Sequence, residues 1–524
     1  MPGFAGRRRP LIGALLLLTV VSPTMAWSQQ PAPGTVRPGT TSAPTTEPTA
    51  PPTLAPVAPP TSELPQPIPV IPDPLLIPPL TIPSVPQRYL PAPTAAVAPT
   101  ARFQFLPTIG FSEEYTDNFN LTERNKVSNY RSTISPGLSL SINSAFVKGL
   151  VGYTFSPSYD TATDDISMFH SLIGNVAWDV TPLWKLTLAD TFTKSDQPDQ
   201  ANSLGLRRQR QEFTSNILSL SSDYLLGTVA TRQSYVMSKF SDQNGQDTTS
   251  HTLGLSAIVP IYRTNSLSAG YEYLSSSTTS TGSNSTSVFG LASNTGDSDV
   301  TGHKLSLSLS RKVNSFRSYG VIASYALRSA TSNTHDVDFQ VWNAQVFQDY
   351  ELMNRLKLHT TLGVSGVTTD SGQSSGPSLS TQSSLIYQFA KAILTLAVDK
   401  GVSETFTEGE NFGLVETEGA RASLSYPFTP SITGTVDGYY RHNKETGIGG
   451  FTTNTTGNRE TTSWGGSLNF SWQILRTLLF TLTYTYTKQT GDTNNPNGTV
   501  NSTNGVNDSN YTENHVKAAF TLSF

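Results

Sequence analysis

The chain has 524 residues, with 34 Lys+Arg against 38 Asp+Glu, 35 Pro, 39 Gly and no Cys. The absence of cysteine excludes disulfide scaffolds, thiolate metal sites and cysteine nucleophiles together. A formal net charge of −4 gives no electrostatic footprint for nucleic acid.

The chain opens with Arg7-Arg8-Arg9, an apolar run from Leu11 to Val21, and the small-residue exit Ser22 to Ala26. That is the order of a cleaved secretory signal, assigned to residues 1–28. The apolar run falls well short of the ~20 residues that a spanning helix needs. No cysteine follows that could carry a lipid anchor. Residues 29–100 form a second region, because 22 of the 35 prolines fall between Pro31 and Pro99. Proline removes ladder donors and breaks helices, so an extended or disordered linker rich in Pro, Thr and Ala is expected there.

From residue 101 to 524 the pattern changes to alternation at period two. Leu305-Leu307-Leu309, Leu356-Leu358-Thr360-Leu362-Val364 and Leu478-Phe480-Leu482-Tyr484-Tyr486 are examples, with Ser, Thr, Gly and Asn between. Short turns are expected near Asn143-Ser144, Thr181 to Leu183, Ser222-Asp223, Pro260 to Thr264, Val313 to Ser315, Glu351 to Arg355, Ala390-Lys391, Thr429 to Ser431 and Leu475-Arg476. They alternate with longer polar loops near 116–130, 160–165, 195–209, 241–248, 275–299, 329–335, 369–378, 403–412, 444–460 and 488–511. Long strands, an even strand number and two unlike rims describe an all-β, antiparallel transmembrane barrel of the outer-membrane kind, with about 20 strands and 18 to 22 allowed. A soluble sandwich would have shorter strands and no loop asymmetry, and a solenoid would need a fixed repeat that is absent here.

Aromatic residues mark both rims. Trp184, Phe316, Phe389, Phe428 and Trp472 lie beside short turns, and Tyr115, Tyr159, Tyr273, Tyr325, Tyr440 and Tyr486 lie near the long-loop ends. Amphipathic rings are most stable at headgroup depth, so two such sets are expected as interfacial girdles. The last strand places Val516, Ala518, Phe520, Leu522 and the terminal Phe524 on one face. That row looks like the signal read by the barrel-assembly machinery.

The stretch Pro107 to Leu121 contains Glu114-Tyr115-Thr116-Asp117-Asn118; Ser135-Pro136-Gly137 follows within Thr133 to Leu140, then Gly152 to Tyr159. An acidic-Tyr-x-Asp-Asn stretch leading to a Ser-Pro-Gly strand resembles the second outer-membrane beta-barrel porin family. That family overlaps barrels associated with exopolysaccharide biosynthesis loci and with the PEP-CTERM sorting system. The likeness in motif covers 107–159, and in pattern the whole body. It implies outer-membrane lipid and lipopolysaccharide as surroundings and, further, a role in surface polysaccharide export or assembly.

A 20-stranded barrel has a backbone diameter of about 40 Å, too wide for wall side chains to fill. Its lumen is therefore wet or plugged. Lys148, Lys185, Arg232, Glu272, Lys304, Lys357, Asp399, Arg421, Asp437, Arg441 and Lys517 fall on the polar alternation and are expected to line it. Asp190 and His303 fall on the apolar alternation instead. The seven His are scattered without metal-ligand spacing, so no cofactor, metal or catalytic group is expected. Loop 491–510, rich in Asn, Asp and Gly, reads as a solvated loop in preference to a calcium site. The leading expectation is a passive conduit serving polysaccharide export or surface assembly. A structural or adhesive barrel with a closed lumen is the alternative, and an outer-membrane hydrolase the third.

Overall fold

A computed structural model describes residues 103–524 apart from 197–209, 211, 244–245, 263, 281–297, 333–335, 353–354, 371–373, 405–413, 446–458 and 494–509. The signal peptide 1–28 and the linker 29–100 lie outside the described residues, as does most of loop 491–510.

The body is a single 20-stranded sheet. Its first strands are β1 (Phe103–Thr116), β2 (Asn129–Asn143), β3 (Val147–Asp160), β4 (Asp165–Thr181) and β5 (Trp184–Ser195). There follow β6 (Phe213–Leu226), β7 (Val229–Asp242), β8 (Gln246–Tyr262), β9 (Asn265–Ser280) and β10 (Ser298–Asn314). The second half begins with β11 (Arg317–Ser332), β12 (Asp336–Leu352), β13 (Leu356–Thr369), β14 (Ser374–Gln388) and β15 (Ile393–Glu404). It ends with β16 (Leu414–Thr429), β17 (Ile432–Glu445), β18 (Arg459–Leu475), β19 (Leu478–Thr493) and β20 (Tyr511–Ser523). Each strand pairs antiparallel with the next, and β1 pairs with β20, which closes the barrel. Closure joins the first and last strands into one wall, as a lipid environment favours.

The alternation explains why these segments are strands with two unlike faces. On β10, Leu305, Leu307 and Leu309 are 59%, 56% and 46% exposed, while Ser306 between them is buried. On β1, Phe105, Ile109 and Phe111 are exposed while Ser112, Glu114 and Thr116 are buried. An apolar row facing out and a polar row facing in inverts the water-soluble arrangement. It is the pattern of a transmembrane barrel of the outer-membrane kind.

Connections that leave even-numbered strands are short, and both ends of the described body, Phe103 and Phe524, share that rim. Those leaving odd-numbered strands are longer overall, as between Ser195 and Phe213 or Thr493 and Tyr511. The turn expected at Ser222-Asp223 lies elsewhere. β6 runs through both residues to Leu226, and the chain reverses at Gly227, whose φ of +64° is free of steric cost only for glycine. The polar loops expected at 275–299, 369–378 and 488–511 are also shorter, because β9 continues to Ser280, β14 starts at Ser374 and β19 reaches Thr493. Hydroxyl pairs such as Thr248–Thr278, 3.1 Å apart, give polar strand ends cross-strand bonds.

Candidate functional site in the barrel lumen

Contacts between strands that are not neighbours identify the inner face. Arg131 on β2 reaches Asp196 beyond β5, and Arg328 on β11 reaches Glu404 on β15, with N–O distances of 2.6 and 2.8 Å. Such chords cross the inside of the wall. Carried through the strand registers, this face holds mainly Ser, Thr, Gly and Asn.

All eleven residues expected to line the lumen fall on this alternation, and the structure brings most of them to a partner. Arg441 lies 3.4 Å from Asp399 and Arg421 3.5 Å from Asp437. Glu272 meets Arg328 at 3.4 Å and Arg232 meets Asp223 at 2.6 Å. Lys517 pairs with Glu114 across the closing seam, and Lys357 pairs with Glu351 at 3.0 Å near the short-turn rim. Lys148, Lys185 and Lys304 have no ion pair among the described residues. Most of the charge on these expected lining residues is thus paired locally, so the inner face presents hydroxyls and fixed dipoles more than net charge.

Burial is uneven along the axis. Towards the long-loop rim, inward Thr133, Ser158, Thr248, Ser276, Ser463 and Thr487 are all buried. Towards the short-turn rim, inward Lys148 and Lys185 are exposed. Among the described residues, inward side chains are thus more closely covered towards the long-loop rim.

On the inner face near the long-loop rim is a residue that sequence reasoning missed. Arg131, 2% exposed, donates from Nε and Nη2 to Asp160 and from Nη1 and Nη2 to Asp196. Its guanidinium also lies 5.2 Å from the centre of the Phe169 ring. Arg210 stacks in the same way on Phe119, at 4.5 Å. The alternation Arg131-Thr133-Ser135 could have signalled an inward arginine; its partner Asp196 lies past the end of β5, where alternation gives no information. Arg328 was missed likewise, although it continues the row Ser324-Ala326.

The stretch that suggested a porin family builds the seam. Asp117 accepts hydrogen bonds from the backbone N–H and the side-chain amide of Asn514, both at 2.7 Å. Asn118, fully buried, donates to the carbonyls of Thr122 and Thr512 and accepts from the N–H of Thr122. Loop 117–128 is thereby pinned to β20, with Phe119 and Leu121 turned inside.

On the outer face, the expected girdle tyrosines continue the apolar row, and several phenols in this band are hydrogen-bonded. Tyr159 donates to Asp164 and Tyr325 to Gln340, each at 2.8 Å. Asp190 and His303 do face outward, and neither is bare: Asn216 donates to Asp190 at 3.0 Å, and Tyr271 is 2.8 Å from His303 Nδ1. Val516, Ala518, Phe520 and Leu522 share the outward face of β20, and Phe524, 69% exposed, follows the strand's end. Among the described residues, no three His, Asp or Glu are grouped as a metal site.

No family model matches the chain, and no curated protein matches it. The porin resemblance of residues 107–159 therefore stands as a likeness in motif. Among solved structures, an FrpB iron transporter from Neisseria meningitidis is similar, with a TM-score of 0.46 and 8% identity over 80% of this chain and 81% of that one. A ferric enterobactin receptor from Pseudomonas aeruginosa has a TM-score of 0.43 and 11% identity over 80% of each chain. The siderophore receptor PirA, also from Pseudomonas aeruginosa, has a TM-score of 0.41 and 8% identity over 80% of each. At that level of likeness the iron and siderophore chemistry of those proteins does not carry over.

Proposed function

We propose that this chain is a passive, porin-like conduit of a bacterial outer membrane, for hydrophilic and weakly charged solutes. The observation that supports it best is the inward face itself: hydroxyl-rich strands on which Arg441–Asp399, Arg421–Asp437 and Arg232–Asp223 cancel one another. A wall of this kind offers many exchangeable hydrogen bonds and no strong electrostatic trap, which suits sugars. The motif at 107–159 extends the reading to polysaccharide export or surface assembly. Export by the signal 1–28 would leave the Pro-rich arm in the periplasm, and the outward row Val516 to Phe524 fits the assembly machinery. No catalytic role is assigned.

Single-channel conductance of the mature chain in a planar bilayer tests this. Nanosiemens steps partly blocked by a neutral oligosaccharide are expected, together with reduced cation exclusion when Lys148, Lys185 and Lys304 are replaced by Gln. A membrane-inserted protein that stays silent, with and without residues 29–100, would favour the structural or adhesive barrel. The buried polar side chains at the long-loop mouth are what support that second reading.

A further inference from the structure

Neighbouring strands of the barrel wall part early between β14 and β15. The ladder between β14 and β15 runs only from Gln388 opposite Ile393 to Thr381 opposite Lys400, and is the shortest in the barrel. Above that point β14 stays with β13 and β15 stays with β16, to the pairing of Glu404 with Leu414. Pro377, which has no N–H for a ladder, sits in the part of β14 that β15 has left.

The ends of β15 and β16 go inside. By alternation Val402 and Glu404 belong to the same outward row as Leu396, Val398 and Lys400, and Leu414 to that of Leu424. Yet Leu414 is fully buried in one cluster with Leu274, Val300, Ala330, Phe339 and Val367, with Val402 packed against it. Leu274, Val300, Ala330, Phe339 and Val367 all lie on the inward face of β9 to β13. Beside this bed, Arg328 is 3% exposed. Its Nε donates to Glu404 at 2.8 Å and its Nη2 to Glu272 at 3.4 Å, while Nη1 has no partner among the described residues.

An apolar bed inside a hydroxyl-lined lumen has no use for a hydrophilic solute. Its present occupants combine a carboxylate on Arg328 with aliphatic side chains on the bed. A carboxylate with a single acyl chain has the same chemistry in one molecule, and the free Nη1 gives its second oxygen a donor. We propose that the inward bed of β9 to β13 with Arg328 binds an anionic, single-chain amphiphile of the fatty-acid type. The ends of β15 and β16 hold the site when it is empty of ligand, and the parting of β14 from β15 is the lateral way between lumen and lipid. This is a second activity, independent of the aqueous conduit.

The test uses the mature chain in phospholipid vesicles with palmitate carrying a diazirine on its chain, followed by mass-spectrometric mapping of the labelled peptides. Labelling is expected on inward residues from Val300 to Val367, displaced by excess palmitate and not by palmityl alcohol. Glu404→Gln, which loosens the intramolecular occupant, raises that labelling by about threefold. Arg328→Gln lowers it by about tenfold. Heat-modifiable mobility on a gel reports whether each variant is a folded barrel, and Glu404→Gln carries the test if Arg328→Gln is not. Labelling confined to outward residues such as Leu307 and Leu362, or equal displacement by the alcohol, overturns the proposal. So does unchanged labelling in Glu404→Gln. Conductance recorded on the same vesicles reads the conduit separately.

Discussion

The two shortest ladders of the barrel, β1 with β20 and β14 with β15, are built in opposite ways. The first runs only from Thr108 opposite Ser523 to Thr116 opposite His515. Side chains reinforce it throughout its upper part. Lys517 pairs with Glu114, Thr116 donates to Glu513 at 3.0 Å, Asp117 holds Asn514, and Asn118 holds the carbonyl of Thr512 at 2.9 Å. The second ladder ends at Gln382 opposite Asp399 and Thr381 opposite Lys400, where, among the described residues, Gln382 Oε1 and Asp399 Oδ1 are buried without a hydrogen-bond partner. Both ladders are short, so length does not decide which one holds. Strands from the two ends of the body must meet to close the wall, and there the sequence spends polar side chains on a clamp. At β14–β15 no such clamp is present among the described residues, and the strands part.

Four variants sharpen or break this contrast. The largest effect is expected from Arg131→Ala, one strand from the seam. It takes the bidentate partner from buried Asp160, leaving it the amide of Asn129, and leaves Asp196 only Arg210 at 3.8 Å, a loss of about 3–5 kcal/mol. The midpoint for loss of the heat-modifiable band in urea should fall accordingly; an unchanged midpoint would mean that the mouth is wet enough to solvate both acids. Next comes a stapling of the weak ladder. A Cβ at Gly401 would lie 3.4 Å from Ser380 Oγ, within reach of a disulfide. Ser380→Cys with Gly401→Cys, in a chain that has no other cysteine, should oxidise readily and gain about 2–4 kcal/mol over its reduced form. Failure to cross-link, despite a folded barrel, would show that the strands part lower than Lys400.

Asn118→Ala removes the donor to two carbonyls and the acceptor for Thr122 N–H, and should cost about 2 kcal/mol. Faster proteolysis between Asp117 and Val127 at unchanged barrel mobility is the expected sign, and resistance equal to the parent chain would remove the clamp from the account. The smallest effect belongs to Lys400→Ala. Its pair with Glu418, 3.1 Å, is on the outer face and substantially exposed, so a change under about 0.5 kcal/mol is expected. A loss several times larger would mean that this pair, sited where the ladder stops, is itself a clamp.

The porin-like reading and the amphiphile site place different demands on the same lumen. The first uses the hydroxyl rows and paired charges that line most of the wall. The second uses the apolar bed on β9 to β13 and one incompletely partnered arginine. Only the second depends on the parting of the wall.

Much of this architecture is legible in the residues themselves. Alternation at period two states which side chain faces which way, because successive Cβ atoms on a strand point to opposite sides. Hence the inward row Lys148, Glu272, Asp399 and Arg441 and the outward row Val516 to Phe524 could be assigned before any coordinates, and so could the unequal rims. Turn chemistry was less decisive. Ser222-Asp223 looks like a turn from composition, but Gly227 is where the backbone needs a positive φ.

What the tertiary structure decided is everything that depends on distance between strands far apart in the chain. Alternation says that Arg131, Arg328 and Glu404 are polar residues of strands; it does not say that Arg131 meets Asp196 or that Arg328 meets Glu404 across the lumen. It even places Val402 and Leu414 on the lipid side, whereas they are packed inside. The rule holds only while a strand stays in the wall. Where β15 leaves β14, local pattern and global position separate, because facing is set by the sheet that a strand belongs to and not by the strand alone.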